Sequence, residues 1–440
     1  MPTVATALKR TVLSALGQRT EEPPISWLMD LALARPRLIS LAAGFTDNAT
    51  LPVRDTRRLL AGLLRTRASG APALQYGTTA GLPELRRLTV EHLRQLDAAA
   101  LAVNAGAGAE LDNALYAPEQ LLITNGSQQL LYLLSEVLCD PGDIVLVEDP
   151  TYFVFLGIAQ SHGLRCRGIP LAADGLDLAA LEQTLETLKV AGELPRVKLL
   201  YLISYFQNPT STTTNLANKA AALALVRRYE RAAGHPIYLV EDAAYRELRF
   251  AGADVPSALT LPGAAERVVY SSTFSKPFAT GVRIGYGRLP AALLTPVMRV
   301  KGNHDFGSAS LLQHLLARAL ADGTYEQHLA VLRRRYARKA AAMVAALREH
   351  FPAGVAWREP RGGLYVWAKL PARQRTGMKS PLLRRALERD VLYVPGRLCY
   401  TDDPTRRAPD DEMRLSFGNA SLAEIATGIA RLGGVVSASI

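Results

Sequence analysis

The chain has 440 residues, 49% hydrophobic and 21% charged, with a formal net charge of +11 at pH 7. That length and apolar share suit a large ordered core spread over two domains; no apolar run is long enough to span a bilayer, so neither a disordered chain nor a helical membrane protein is expected. The basic residues are dispersed rather than clustered with aromatics, which reads as a solvated surface favouring anionic small molecules, not nucleic acid.

Residues Met1–Thr20 contain Lys9, Arg10 and Arg19 and no acid. A short amphipathic helix belonging to the fold is expected there, with a transit peptide as the alternative. A helix is expected at Ile25–Leu33, then a strand at Leu38–Phe45 ending in a glycine loop. Gly44 in that loop lets backbone approach a ligand closely. The run Tyr76–Leu82 reads as a turn, and Pro83 opens a helix. Asp97–Leu115, rich in Ala, Gly and Asn, reads as a surface loop.

Gln120–Thr124 reads as a strand, followed by Asn125-Gly126-Ser127-Gln128-Gln129 and a helix at Leu130–Leu138. A strand, a glycine turn and a helix N-terminus together form an anion site, because free N–H groups and the positive end of the helix dipole face the ligand. Ile144–Val147 is a buried-type strand, and Tyr152 after it faces the crevice where α/β sheets bind ligands. The three cysteines, Cys139, Cys166 and Cys399, lie far apart. Neither they nor the seven histidines show ligand spacing, so reduced thiols in a cytoplasmic protein and no metal site are expected. Strands follow at Val197–Tyr205, with Asn208-Pro209-Thr210 beyond, and at Ile237–Val240, with Asp242 and Tyr245 beyond. On its own, Asp242 also admits a reading as a helix N-cap.

Ser271–Tyr286 carries the densest chemistry. Strand-like runs flank a turn that holds Lys276, with Thr273 and Ser275 just before it and Arg283 seven residues after. Hydroxyls, an amine and a guanidinium at short range suit a phosphorylated aldehyde: the amine attacks the carbonyl and the rest holds the phosphate. Beyond Arg288 the pattern turns helical at Leu311–Leu320 and Tyr325–His350. Short strands are expected at Gly362–Trp367, Val391–Pro395 and Met413–Phe417. Arg414 stands within the last of these, and a buried guanidinium requires a partner.

In this order the segments resemble the class I/II aminotransferases of fold type I, closest to the 2-aminoadipate/kynurenine group, over about Pro24 to Gly434. The matching motifs are Tyr76-Gly77-x-x-x-Gly81, Gly126-Ser127-Gln128, Asn208-Pro209-Thr210, Asp242-x-x-Tyr245, Ser275-Lys276-x6-Arg283 and Arg414-Leu415-Ser416-Phe417. The resemblance implies an α/β fold: a large domain at 52–310 with a mostly parallel seven-stranded sheet, and a small α/β domain at 311–440. Residues 1–51 then form an N-terminal arm and part of the small domain. It implies pyridoxal 5′-phosphate (PLP) as cofactor, held covalently by Lys276, which also moves the substrate proton. Asp242 then faces the pyridine nitrogen, Tyr152 stacks on the ring, and Asn208 and Tyr245 bind its phenolic oxygen. Gly126, Ser127, Gln128, Thr273, Ser275 and Arg283 take the phosphate. Tyr76 reaches the phosphate of a partner subunit, which implies a homodimer with shared sites. Gly44, Asn208 and Arg414 bind substrate, with Arg414 on the α-carboxylate.

The implied activity moves an amino group between an L-amino acid and a 2-oxo acid. In the aminoadipate group an arginine often grips a side-chain carboxylate, and Met29 aligns with that place here. A neutral or aromatic substrate is therefore expected. The alternative on the same fold is a PLP-dependent lyase, cyclase or decarboxylase. A DNA-binding regulator built on this fold is not expected, since only about two dozen residues precede the resemblance.

Overall fold

Four segments rich in branched apolar residues, Leu121–Thr124, Ile144–Asp149, Tyr238–Asp242 and Val268–Thr273, are buried along their whole length. Strands covered on both faces by helices have this pattern. The computed structural model, which describes residues 12–104, 111–371 and 374–439, assembles them into one eight-stranded sheet. The spatial order is Leu121–Thr124, Gly285–Arg288, Val268–Thr273, Tyr238–Asp242, Val197–Ile203, Ile144–Asp149, Arg165–Ala172 and Gly175–Leu176. The run from Val268–Thr273 to Arg165–Ala172 is parallel, whereas Gly285–Arg288 is antiparallel to both its neighbours. The expected seven strands are therefore joined by an eighth. It is the two-residue Gly175–Leu176, antiparallel to Arg165–Ala172 and too short to leave a periodic signal.

A second, four-stranded antiparallel sheet is built from Ala356–Trp357, Tyr365–Lys369, Glu412–Ser416 and Val394–Pro395. The long helix Thr324–His350 packs against the C-terminal helix Leu422–Ser437 in the same part of the chain. The Leu38–Phe45 segment is strand only at Ile39–Ser40, which pairs in parallel with Val391–Leu392 and so ties the start of the chain to its end. Within the described residues the N-terminal stretch is helical at Ala15–Arg19; residues 1–11 lie outside them. Ala291–Asp305 forms a helix that contains Pro296.

The reading of Asp97–Leu115 as a surface loop is corrected. The helix opened by Pro83 continues through Asp97 to Asn104, and residues 105–110 lie outside the described residues. Asp97 is fully buried. One of its oxygens accepts from Arg246 Nη2 at 2.7 Å and Ser257 N at 2.8 Å; the other accepts from Tyr116 Oη at 2.8 Å and Ser257 Oγ at 2.6 Å. A composition typical of loops is here overridden by a buried ion pair. Asp97→Ala removes one of the two carboxylates on buried Arg246, the other being Asp254 at 3.0 Å, and leaves the Tyr116 and Ser257 donors without their acceptor, so it is expected to cost about 3 kcal/mol, read as a lowered unfolding midpoint.

Candidate active site

The parallel strands deliver their C-terminal ends to one crevice, the position at which open α/β sheets bind ligands. Beyond Ile144–Asp149 stands Tyr152; beyond Val197–Ile203 stands Asn208, joined to Pro209 by a cis peptide. Asp242 closes its own strand, with Tyr245 three residues on. Thr273, Ser275 and Lys276 follow from the next strand, and Gly126, Ser127 and Gln128 enter from the helix Gly126–Leu138. Arg283 completes the lining, so eleven of the fourteen expected site residues meet in this cleft.

One end of the cleft is built for an anion. Gly126 has a left-handed backbone (φ +68°), and Arg283 Nη2 lies 2.8 Å from where a Cβ on it would stand. Gly285 faces the same helix start: a Cβ there would strike the Gly126 and Ser127 backbone, so glycine lets the helix N-terminus press onto the sheet edge. The first N–H groups of that helix have no intrahelical acceptor. Arg283 donates to Ser275 Oγ at 3.2 Å, and Ser275 N donates to Thr273 Oγ1 at 3.1 Å. Backbone N–H groups, hydroxyls and a guanidinium converging on one point are a phosphate donor set.

The other end carries two groups whose ordinary counter-charges are missing among the described residues. Lys276 Nζ donates to Gly44 O at 2.8 Å and pairs with no carboxylate. Burial, then the nearby Arg283 and Arg414, lowers its pKa to about 8. Asp242 is buried and accepts from Tyr201 Oη at 2.8 Å and from Ala244 N at 3.0 Å, with no cation. Burial raises its carboxyl to about 6 against those two hydrogen bonds. A buried acid without a cation and a partly buried amine without an anion fit a ligand that carries a ring cation and a carbonyl. With the anion cradle beside them, the donor set fits PLP.

Arg414 resolves the question its sequence position raised. It is buried, and Nη1 donates to Asn208 Oδ1 and Nη2 to Ala42 O, each at 2.7 Å. Its Nε has no partner. The guanidinium lies 4.3 Å from the Tyr365 ring centre and 5.3 Å from that of Phe153. With no carboxylate among these contacts, its charge is free for an anionic substrate group. Tyr76 is not brought into the cleft of its own chain: it is 84% exposed and packs edge-on against Phe306 at 5.5 Å.

Sequence reasoning missed several supporting groups. Tyr201 holds Asp242 from mid-strand. Glu148 accepts from Ile203 N at 3.0 Å and Gln207 Nε2 at 3.1 Å, and Gln207 Oε1 accepts from Thr210 N at 2.8 Å, which braces the loop bearing Asn208. A hydroxyl or carboxylate inside an otherwise apolar strand was the available signal for Tyr201 and Glu148.

Only a neutral amine attacks a carbonyl. The lowered pKa of Lys276 therefore sets a pH dependence: the protonated form dominates below about 8 and the reactive form above it. PLP uptake by the cofactor-free protein, followed by absorbance, should speed up with pH and level off just above 8. An ordinary lysine would keep the rate climbing toward 10.

The family model for aminotransferase class I and II matches residues 36–432. The 2-aminoadipate transaminase of Thermus thermophilus is 33% identical over 91% of this chain and 90% of the relative. Aromatic-amino-acid aminotransferase 1 of Thermococcus litoralis is 32% identical over 95% of this chain and 92% of the relative. Among solved structures, kynurenine aminotransferase from Pyrococcus horikoshii superposes with a TM-score of 0.84 at 31% identity, covering 98% of each chain. The crevice, with its unpaired amine and acid beside a phosphate cradle, therefore sits on the expected fold type I scaffold, and the chain belongs to the class I and II aminotransferase family, enzymes that use PLP to transfer amino groups.

Proposed function

We propose that the enzyme transfers the amino group of a neutral or aromatic L-amino acid to a 2-oxo acid, with the cofactor attached through Lys276. The observation that carries this reading is the pairing, across one cleft, of an amine without an anion at Lys276 and an acid without a cation at Asp242. Bound there, PLP supplies an electron-accepting ring that stabilises the charge left when the substrate loses its α-proton. Asp242 holds the ring nitrogen in its protonated form, Tyr152 covers the ring, and Asn208 and Tyr245 donate to its phenolic oxygen. Gly126, Ser127, Gln128, Thr273, Ser275 and Arg283 bind the phosphate. Lys276 Nζ takes the α-proton and returns it. Arg414, together with Asn208 and the Gly44 backbone, orients the substrate carboxylate.

The apolar preference is supported by the arm helix Pro24–Ala34. Met29 is partly buried on it, and the helix packs on Phe153–His162, whose first residue faces Arg414. With PLP and a 2-oxo acid acceptor present, phenylalanine or leucine should turn over faster than 2-aminoadipate. The reverse order would refute the preference. Product formation that needs no acceptor would favour the lyase reading.

We also infer a homodimer with shared sites. Exposed Tyr76, Leu74, Val53 and Phe306 support it, as does an apolar groove of about 770 Å³ lined by Leu51, Leu60, Leu64 and Ala279. Surface of that kind is typical of an interface between subunits, and Tyr76 would then serve the partner's phosphate. The parallel pairing of Ile39–Ser40 with Val391–Leu392 supports a division into a large domain at 52–310 and a small domain at 311–440 that shares residues 1–51. Three free cysteines support a cytoplasmic setting. No helix among the described residues is long and apolar enough to cross a membrane.

A further inference from the structure

Tyr365 opens the strand Tyr365–Lys369, which runs antiparallel to Glu412–Ser416 with Trp367 opposite Arg414 and Tyr365 opposite Ser416. Directly paired residues share a face, so Tyr365 and Arg414 are diagonal neighbours on the same side of the small sheet. The ring stands 4.3 Å from the Arg414 guanidinium, a cation–π distance. The residue is 1% exposed and does not line the cleft. Its backbone carbonyl is fixed by Ser211 Oγ at 2.6 Å.

The hydroxyl of Tyr365 lies 3.0 Å from that of Tyr245, and the two rings meet edge-on at 5.7 Å. A Cβ on Gly44 would stand 2.7 Å from this hydroxyl, so the arm reaches its place beside Lys276 only because residue 44 is glycine. Either hydroxyl can donate in the tyrosine–tyrosine bond, and the neighbouring groups leave each with no other protein acceptor among the described residues. Arg414 donates to Asn208 Oδ1, which turns the Asn208 amide nitrogen toward the Tyr245 oxygen, 3.5 Å away. An acceptor placed in the cleft draws the Tyr245 proton to itself, and the Tyr365 proton then goes to the Tyr245 oxygen. The remaining ionisable groups that act on the Tyr245 phenol are Tyr152 and Arg414.

We propose that Tyr365 is a positioning residue with two roles: its ring seats the substrate-binding guanidinium of Arg414, and its hydroxyl directs the Tyr245 proton toward the cofactor's phenolic oxygen. This rests on the reading above that PLP occupies the cleft with Tyr245 at that oxygen. A proton donated to a phenolic oxygen favours its anionic form, and a weaker donor lets that oxygen hold its own proton to higher pH.

The test compares holoenzyme of the wild type, Tyr365→Phe and Tyr365→Leu by pH titration of the cofactor's visible absorbance and by steady-state kinetics. Tyr365→Phe keeps the ring and removes the hydroxyl. Its titration midpoint should rise by roughly 0.5–1 pH unit, while KM for the amino acid stays within about two-fold. Tyr365→Leu removes both features, so it should show the same midpoint shift and a KM raised about ten-fold. A Tyr365→Phe midpoint equal to wild type overturns the hydroxyl role. An unchanged KM in a folded Tyr365→Leu protein overturns the ring role. If Tyr365→Leu fails to fold, Tyr365→Phe still decides the first role, and Tyr365→Met, which keeps the volume but not the ring, decides the second. A wild-type protein with no visible cofactor band overturns the PLP reading itself.

Discussion

Lys276→Ala is expected to lower transamination by about 10⁴-fold or more, because one substitution removes both the group that attacks the cofactor carbonyl and the group that moves the α-proton. The methyl left behind reaches neither Gly44 O nor the cleft centre, and no other lysine among the described residues lines the cleft to replace it. The loss should fall on kcat while the protein stays folded, since the wild-type amine is partly buried without an ion pair and its removal strands no partner charge. Single-turnover assays at saturating amino acid separate this from weakened binding.

Asp242→Asn is expected to lower kcat by about 10²–10³-fold, the range for losing one preorganised electrostatic partner. The amide keeps the shape of the carboxylate and can still accept from Tyr201 Oη or Ala244 N. What it loses is the charge that balances a protonated ring nitrogen. In the cofactor-free protein the same change should leave the unfolding temperature unchanged or raise it, because a neutral amide costs less to bury than an uncompensated carboxylate. A large kinetic loss together with a neutral or positive stability change separates an electrostatic role from a structural one.

The cleft was legible in the sequence because its parts are local. Each strand end announces itself by an apolar run that stops at a residue with functional chemistry, as at Thr273-Phe274-Ser275-Lys276 and Glu241-Asp242. Gly126 was readable because a glycine between a strand and a helix is the form an anion site takes. Arg414 was readable because a guanidinium inside an apolar strand is costly unless it has a purpose. What was illegible depends on long-range contact. Tyr365 meets Tyr245 across 120 positions of sequence, and Asp97 meets Arg246 across 149. No window along the chain holds both members of either pair, so Tyr365 passed as one more apolar strand residue. Asp97 was placed in a loop for the same reason: the alanines around it are equally at home in a helix, and only the buried arginine decides. The eighth strand escaped because two residues have no period to detect.

The most direct test of the account is borohydride reduction of PLP-loaded protein followed by peptide mapping. A single phosphopyridoxyl group on Nζ of Lys276, absent from the Lys276→Ala protein, is the expected result. The same label on another lysine, or a protein that stays colourless and unlabelled after incubation with PLP, would contradict it.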